Sequence, residues 1–248
     1  MLTARPPLRI TWIGHATVLV ELDETRLLTD PILRKRIAHL RRTGKAPGRE
    51  ELGRIDAALI SHAHRDHLDV QSLRRLGPGV PVVAAEDAVK SLRRRGFRGP
   101  VDAVREGDER RVGGVTVQAT PALHGRPGSA VGYLVQGSST VYFAGDTDLF
   151  PGMAQLAERL DVALLPIWGW GPTLGEGHLD PERAAEAVRL LRPRVVIPIH
   201  WGSLHPLGMS QAAFLSDPPN VFAHLVRERA PEVEVRLLTP GGTTSLGG

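Results

Sequence analysis

The 248 residues are 42% hydrophobic and 23% charged, ordinary for a globular chain with room for a sizeable core. No apolar run approaches the ~20 residues that cross a bilayer, and Met1-Leu2-Thr3-Ala4-Arg5-Pro6-Pro7 lacks the apolar stretch of a secretory signal, so the expected compartment is the cytoplasm. The absence of cysteine excludes disulfides and thiolate ligands, and the net charge of +4 is modest.

Taken in chain order, apolar β-rich segments occupy 8–13, 17–22, 25–29, 57–60, 81–84, 115–120, 130–135, 140–144, 162–166, 195–199 and 233–238. Helical patterns fall near 69–76, 86–95, 153–160 and 181–192. The last is the clearest: Asp180 is an N-cap, Pro181 takes the first helical position, and Ala184, Ala187, Val188 and Leu191 recur at helical spacing. Short, turn-linked opening strands predict antiparallel pairing, whereas later strands separated by helices predict parallel pairing. The expected architecture is therefore α/β, a layered sandwich of mixed sheets with helices outside. No linker interrupts it, so 1–248 reads as a single domain.

Residues 62–67 read His-Ala-His-Arg-Asp-His and follow the apolar run Ala57-Ala58-Leu59-Ile60. In an extended segment alternate residues point the same way, so His62 and His64 can grip one ion together. Asp66 and His67, just past the turn, are free to face a second. Imidazole and carboxylate ligands without thiolate suit Zn2+ and also accept Mn2+ or Fe2+.

Other polar residues fall where apolar runs stop. Asp30 ends Leu27-Leu28-Thr29, His124 follows the strand 115–120, Asp146 follows Val141-Tyr142-Phe143-Ala144-Gly145, and His200 ends Val195-Val196-Ile197-Pro198-Ile199. In layered α/β folds such strand ends converge on a ligand crevice. Singly, each has a plainer reading as a turn residue or a hydrogen-bonded surface group.

The set Asp30, His62-x-His64-x-Asp66-His67, His124, Asp146 and His200 resembles the five-motif signature of the metallo-β-lactamase superfamily. The resemblance implies a four-layer αβ/βα sandwich, with a dinuclear site at one edge of two facing sheets. It assigns His62, His64 and His124 to one metal, Asp66, His67 and His200 to the other, Asp146 as the bridge, and Asp30 as a supporting residue. The motifs Ile13-Gly14-His15-Ala16-Thr17, Gly177-His178-Leu179-Asp180-Pro181 and Ile199-His200-Trp201-Gly202 are similar to the branch that includes N-acyl-phosphatidylethanolamine phospholipase D and the L-ascorbate-6-phosphate lactonases. The chain departs from the phospholipase in having a short segment between His124 and Val131.

That resemblance implies a hydrolase in which two divalent ions lower the pKa of water towards ~7 and stabilise charge developing on oxygen. The expected substrate is a phosphodiester, ester or lactone of a small or lipid-like molecule. Asp66 is the expected proton shuttle; His178 and His205, in Gly/Pro-rich loops, are the candidate proton donors. His15 is a candidate support for the site, Trp168 and Trp170 candidate pocket walls, and His39 and His224 lack such context. Two alternatives remain: a nuclease, supported by the basic clusters 34–45 and 93–98, and a metal-binding regulatory protein without turnover. The nuclease is less favoured because no aromatic residues interleave the basic runs, which also read as a solvated loop and the polar end of a helix.

Overall fold

Alternating burial along the strands sorts their side chains into layers. In the strand Val162–Pro166, Val162 and Leu164 belong to the larger apolar core, whereas Ala163 and Leu165 pack with the buried faces of two helices. The same division runs through Thr140–Phe143, where Val141 and Phe143 face the larger core and Tyr142 faces the helices. A strand apolar on both faces needs cover on both, which is the physical basis of a layered sandwich.

The protein is described by a computed structural model in which residues 7–210 and 212–247 are placed. The residues before Pro7, and with them most of the segment read as lacking a secretory signal, lie outside the described residues. The first seven-stranded sheet runs in the order Gly242–Leu246, Leu8–Gly14, Thr17–Leu22, Thr25–Thr29, Ala57–Ile60, Val82–Ala85, Val101–Val104. The second runs Glu234–Val235, Val195–Ile199, Val162–Pro166, Thr140–Phe143, Gly132–Gln136, Val115–Thr120, Glu109–Val112. Both are mixed: the opening hairpins pair antiparallel, and the helix-linked strands pair parallel. The two sheets face each other, and the buried Tyr133 hydroxyl reaches across to the carbonyls of Ile60 (2.8 Å) and Val83 (3.2 Å).

Helices Val70–Leu76 and Glu86–Arg94 bury apolar faces in the first layer pair; Pro181–Leu191 and Pro218–Arg229 do so in the second. Asp180 caps its helix by accepting from the Arg183 amide (2.8 Å), and Arg192 closes it in a left-handed conformation. No helix among the described residues is long and apolar enough to cross a membrane.

The structure departs from the sequence pattern in several places. The region 153–160 forms no α-helix but a short 3-10 turn, Pro151–Gln155. Strand Glu109–Val112 is rich in charge and Val101–Val104 carries the exposed Asp102, both being edge strands with exposed faces. Helix Pro218–Arg229 opens on two prolines, which suit a first turn but hide the pattern. The basic segment 34–45 is not a solvated loop. It holds the hairpin Arg36–Ile37 with Leu40–Arg42, which pairs with Leu204–Pro206 to make a third, small sheet. Arg42 is buried there and donates to the carbonyls of Ile13 (3.0 Å) and Ile32. Arg93 and Arg95 likewise donate to backbone carbonyls, so neither cluster presents an unbroken basic surface.

Candidate metal centre

The strand ends meet at one edge of the two sheets. Leu8–Gly14 stops before His15, Thr25–Thr29 before Asp30, and Ala57–Ile60 before Ser61 and His62; Val195–Ile199 stops before His200. Three of these residues take left-handed backbone angles, His15 at φ 57°, Asp30 at 34° and His200 at 64°, so each chain turns sharply as it leaves its sheet. The Asp30 amide donates to Leu59 O (2.8 Å), and the His200 amide donates to His15 O (3.0 Å). These bonds tie the termini to one another. Gly145, at φ 60°, brings Asp146 against the same edge; a Cβ there would lie 2.6 Å from Ser61 Cβ.

His62, His64 and His124 form one group, with ring centroids 4.6–4.9 Å apart and His124 Nε2 3.1 Å from His64 Nδ1. His15, Asp66, His67 and His200 form a second. Asp146 lies between them. Its Oδ2 is 3.1 Å from His67 Nε2 and 3.8 Å from His62 Nε2, and its Oδ1 is 3.1 Å from His200 Nε2. Within the run 62–67, the Leu68 amide donates to His64 O (2.8 Å), and this tight turn carries Asp66 and His67 to the second group while His62 and His64 stay with the first.

Hydrogen bonds on the far side of each ring fix which nitrogen faces inward. His124 Nδ1 lies 2.8 Å from Gly177 O and His200 Nδ1 2.7 Å from Trp168 O; a carbonyl only accepts, so both Nδ1 atoms carry the proton. His67 Nδ1 donates to Asp30 Oδ2 (2.8 Å). Asp30 also accepts from the Ser61 amide (2.7 Å) and hydroxyl (2.6 Å), and that hydroxyl in turn accepts from His62 Nδ1 (2.9 Å). Four imidazoles therefore turn Nε2 lone pairs inward, the arrangement that carboxylate and carbonyl partners impose on metal-bound histidine.

The electrostatics fit the same picture. Burial pushes His62 well below its ordinary value and His200 down to about 3, so both are neutral and free to offer a lone pair. Burial also opposes charge on His67, but Asp146 and Asp66 outweigh it and hold its pKa well above the ordinary value. Burial would raise Asp146, yet His200, His67 and His178 keep it well below the carboxylate range. Positive charge is thus wanted at His67, and buried His62 Nε2 and Asp146 Oδ1 have no hydrogen-bond partner. The donor set, all nitrogen and oxygen, fits a divalent metal.

His15 is buried behind this group, with Nε2 3.1 Å from Asp66 Oδ2 and its ring 3.8 Å from that of His200. His178 is drawn in more closely than its loop suggests: Nε2 lies 3.3 Å from Asp146 Oδ2, within ligand distance of the His124–Asp146 pair. His205 is not brought to the site. It sits in the strand Leu204–Pro206 with Nδ1 donating to Pro206 O (2.8 Å), joins none of the ligand groups and lines no described cavity. Trp168 contributes its carbonyl, and its indole Nε1 donates to Gly171 O (3.0 Å). Sequence reasoning passed over Ser61, although a hydroxyl directly before His62 was the available signal. It also passed over Thr147, whose hydroxyl accepts from the Leu123 amide (2.9 Å) and steadies the His124 loop.

A cavity of about 600 Å³ opens on His64, Asp66, Asp146, His178 and His200. Its far wall is Ile37, His39, Leu40, Trp170 and Leu174, with the His39 and Trp170 rings 5.0 Å apart. His39, without a role in the sequence, is therefore a pocket residue, placed by the small third sheet.

A family profile described as "Beta-lactamase superfamily domain" matches residues 25–201. The chain is 34% identical to a UPF0173 metal-dependent hydrolase of Deinococcus radiodurans, covering 96% of this chain and 100% of that one. It is 33% identical to a UPF0173 metal-dependent hydrolase of Methanopyrus kandleri, covering 94% and 98%. Among solved structures it resembles a metallo hydrolase from the hyperthermophilic archaeon Ignicoccus hospitalis, at 28% identity, TM-score 0.72 and 97% and 99% coverage. The fold, the inward-facing imidazoles and these relatives agree: the chain belongs to the metallo-β-lactamase superfamily and is a metal-dependent hydrolase of the UPF0173 group.

Proposed function

We propose that 1–248 acts as one hydrolase domain with a dinuclear centre, most simply of zinc, that cleaves a phosphodiester, ester or lactone of a small or lipid-like substrate. The observation that carries this reading is the position of Asp146 between two ligand groups, with its two oxygens directed at His67 and His200. His62, His64 and His124 would hold one ion; Asp66, His67 and His200 the other; Asp146 both. Bound there, the ions would supply Lewis acidity and a water of lowered pKa.

The chain's own residues supply orientation and proton handling. His15 Nε2, 3.1 Å from Asp66 Oδ2, orients this cavity-lining carboxylate, which can accept a hydrogen bond from water. His178 binds the Gly175 and Glu176 carbonyls through Nδ1 (3.0 and 3.1 Å). Against burial, Asp146, 3.3 Å from Nε2, favours the protonated ring, whose second proton then sits on Nε2; His178 lines the cavity and is suited to protonate a leaving group. The apolar wall of Ile37, Leu40, Trp170 and Leu174 supports a substrate with an alkyl or aryl portion rather than a polynucleotide.

The test is a panel of bis(p-nitrophenyl) phosphate, p-nitrophenyl butyrate and a γ-lactone on zinc-loaded protein. Turnover of at least one, abolished in His64→Ala, is the expected result. Failure on all three, with two zinc equivalents bound, would overturn the reading.

A further inference from the structure

A second cavity of about 860 Å³ shares His64 with the first and opens also onto His62 and His124. Its charged lining is unbalanced: Lys90, Arg94 and Arg126 face a single carboxylate, Asp87. Asp87, Lys90 and Arg94 stand at i, i+3 and i+7 of the helix Glu86–Arg94, and so share the face turned to the cavity. Asp87 is already engaged twice, by Lys90 Nζ (3.0 Å) and Arg126 Nη2 (3.3 Å). Arg94 has no carboxylate within ion-pair distance among the described residues.

Basic residues in the last turn of a helix ordinarily complement its carbonyl end. That accounts for Arg94, but not for Arg126, which comes from a different element. The Ser129 hydroxyl bonds both His124 O (3.0 Å) and Arg126 O (2.6 Å), so one short turn fixes Arg126 relative to the ligand His124. Cations from two elements converge beside one ligand group, with a surplus of positive charge.

We propose that the substrate carries an anionic group, a carboxylate or phosphate, held by Lys90, Arg94 and Arg126 in this cavity while the bond to be cleaved lies at the His/Asp centre. The proposal rests on the hydrolase reading above and adds a substrate class to it. The substrate is then bipartite, apolar towards Trp170 and anionic towards Arg94. A point charge beside flexible cations is recognised through Coulomb attraction, which salt weakens.

Two measurements test it on zinc-loaded protein, comparing wild type with Lys90→Glu/Arg94→Glu and with Arg126→Ala at equal metal content. The first is the kcat/KM ratio of mono-p-nitrophenyl glutarate to neutral p-nitrophenyl butyrate. It should fall by roughly tenfold or more in the charge-reversed variant. The second is calorimetric binding of glutarate and of inorganic phosphate, whose Kd should rise by a similar factor; the tighter of the two names the anion. Arg126→Ala should move both readouts in the same direction by less. An unchanged ester ratio together with unchanged anion binding would overturn the anionic pocket and leave the hydrolase reading standing. Conversely, wild-type protein that cleaves neither ester but loses anion affinity on charge reversal would sustain the pocket and sink the proposed activity.

Discussion

His67 Nε2 and His200 Nε2 face each other across 2.9 Å, although the residues stand 133 positions apart. Both rings commit Nδ1–H elsewhere, to Asp30 and to Trp168 O, so two lone pairs meet unless a proton or a cation lies with them. Zinc should therefore stabilise the fold. At a concentration 100-fold above its Kd, mass action contributes about 2.7 kcal/mol, which for a chain of this size raises Tm by roughly 5–10 °C. Differential scanning fluorimetry with and without zinc checks this, and His200→Ala should abolish most of the increment.

Acidification should weaken the metal-free protein. Burial holds His200 at about 3 and His62 well below 6.5 in the folded state, while the unfolded chain protonates both near 6.5. The unfolded state then binds more protons, so stability falls as pH drops below about 6.5. His67 acts in the other direction: its raised pKa contributes stability that is complete below 6.5 and lost only as pH rises through the folded value. Between pH 7 and pH 5 the buried neutral histidines dominate, and a loss of about 2 kcal/mol or more is expected. Urea unfolding of chelator-treated protein at the two pH values measures it; greater stability at pH 5 would contradict it.

Asp30→Asn should damage both fold and metal binding without touching the cavity. The carboxylate accepts from Ser61 N, Ser61 Oγ and His67 Nδ1, all buried. An amide turns one acceptor into a donor and leaves a buried donor facing another, at a cost of about 2–4 kcal/mol. Chemical denaturation gives the loss of stability, and metal analysis should show reduced zinc because His67 loses its orienting partner.

Gly145→Ala tests backbone placement. The position has φ 60°, and the added methyl would meet Ser61 Cβ at 2.6 Å. Strain and clash together should cost about 1–3 kcal/mol and move Asp146 away from the strand end. Lower Tm with reduced metal content is the expected pair of readouts.

Proton donation by His178 predicts a dependence on the leaving group. His178→Gln should slow cleavage of alkyl esters, whose alkoxide needs a proton, by roughly 10²-fold or more. Cleavage of p-nitrophenyl esters, whose phenolate leaves unaided, should be affected far less. An equal loss on both would instead point to a role in holding Asp146, its neighbour at 3.3 Å.

The ligand groups were legible because they sit where apolar strands stop. A strand buried on both faces ends abruptly in sequence, and Asp30, Asp146 and His200 each stand at or just past such a boundary. The remaining components depend on chain paths that leave no periodic trace. His39 reaches the cavity only because the hairpin Arg36–Ile37 and Leu40–Arg42 folds beside Leu204–Pro206, and two- and three-residue strands carry too little pattern to register. His178 and His205 were both candidates in Gly/Pro-rich surroundings, with His178 favoured. The pairing that puts His205 in an edge strand, and the carbonyls that turn His178 towards Asp146, are tertiary facts. Helix Pro218–Arg229 was hidden by residues that only its first turn tolerates.

The residues of the centre come from both sheets: Asp30 and His62–His67 from the first, His124, Asp146 and His200 from the second. An ion coordinated by His67 and His200 would close a loop of more than half the chain, joining layers otherwise held by apolar packing and a few hydrogen bonds such as those of the Tyr133 hydroxyl and the His200 amide. Such a crosslink acts chiefly on the unfolded ensemble, which loses the freedom to separate its two halves. Loaded with metal, the centre would thereby also clasp the layers together, and chelation should raise amide exchange along the facing strands of both sheets, well away from the His/Asp cluster itself.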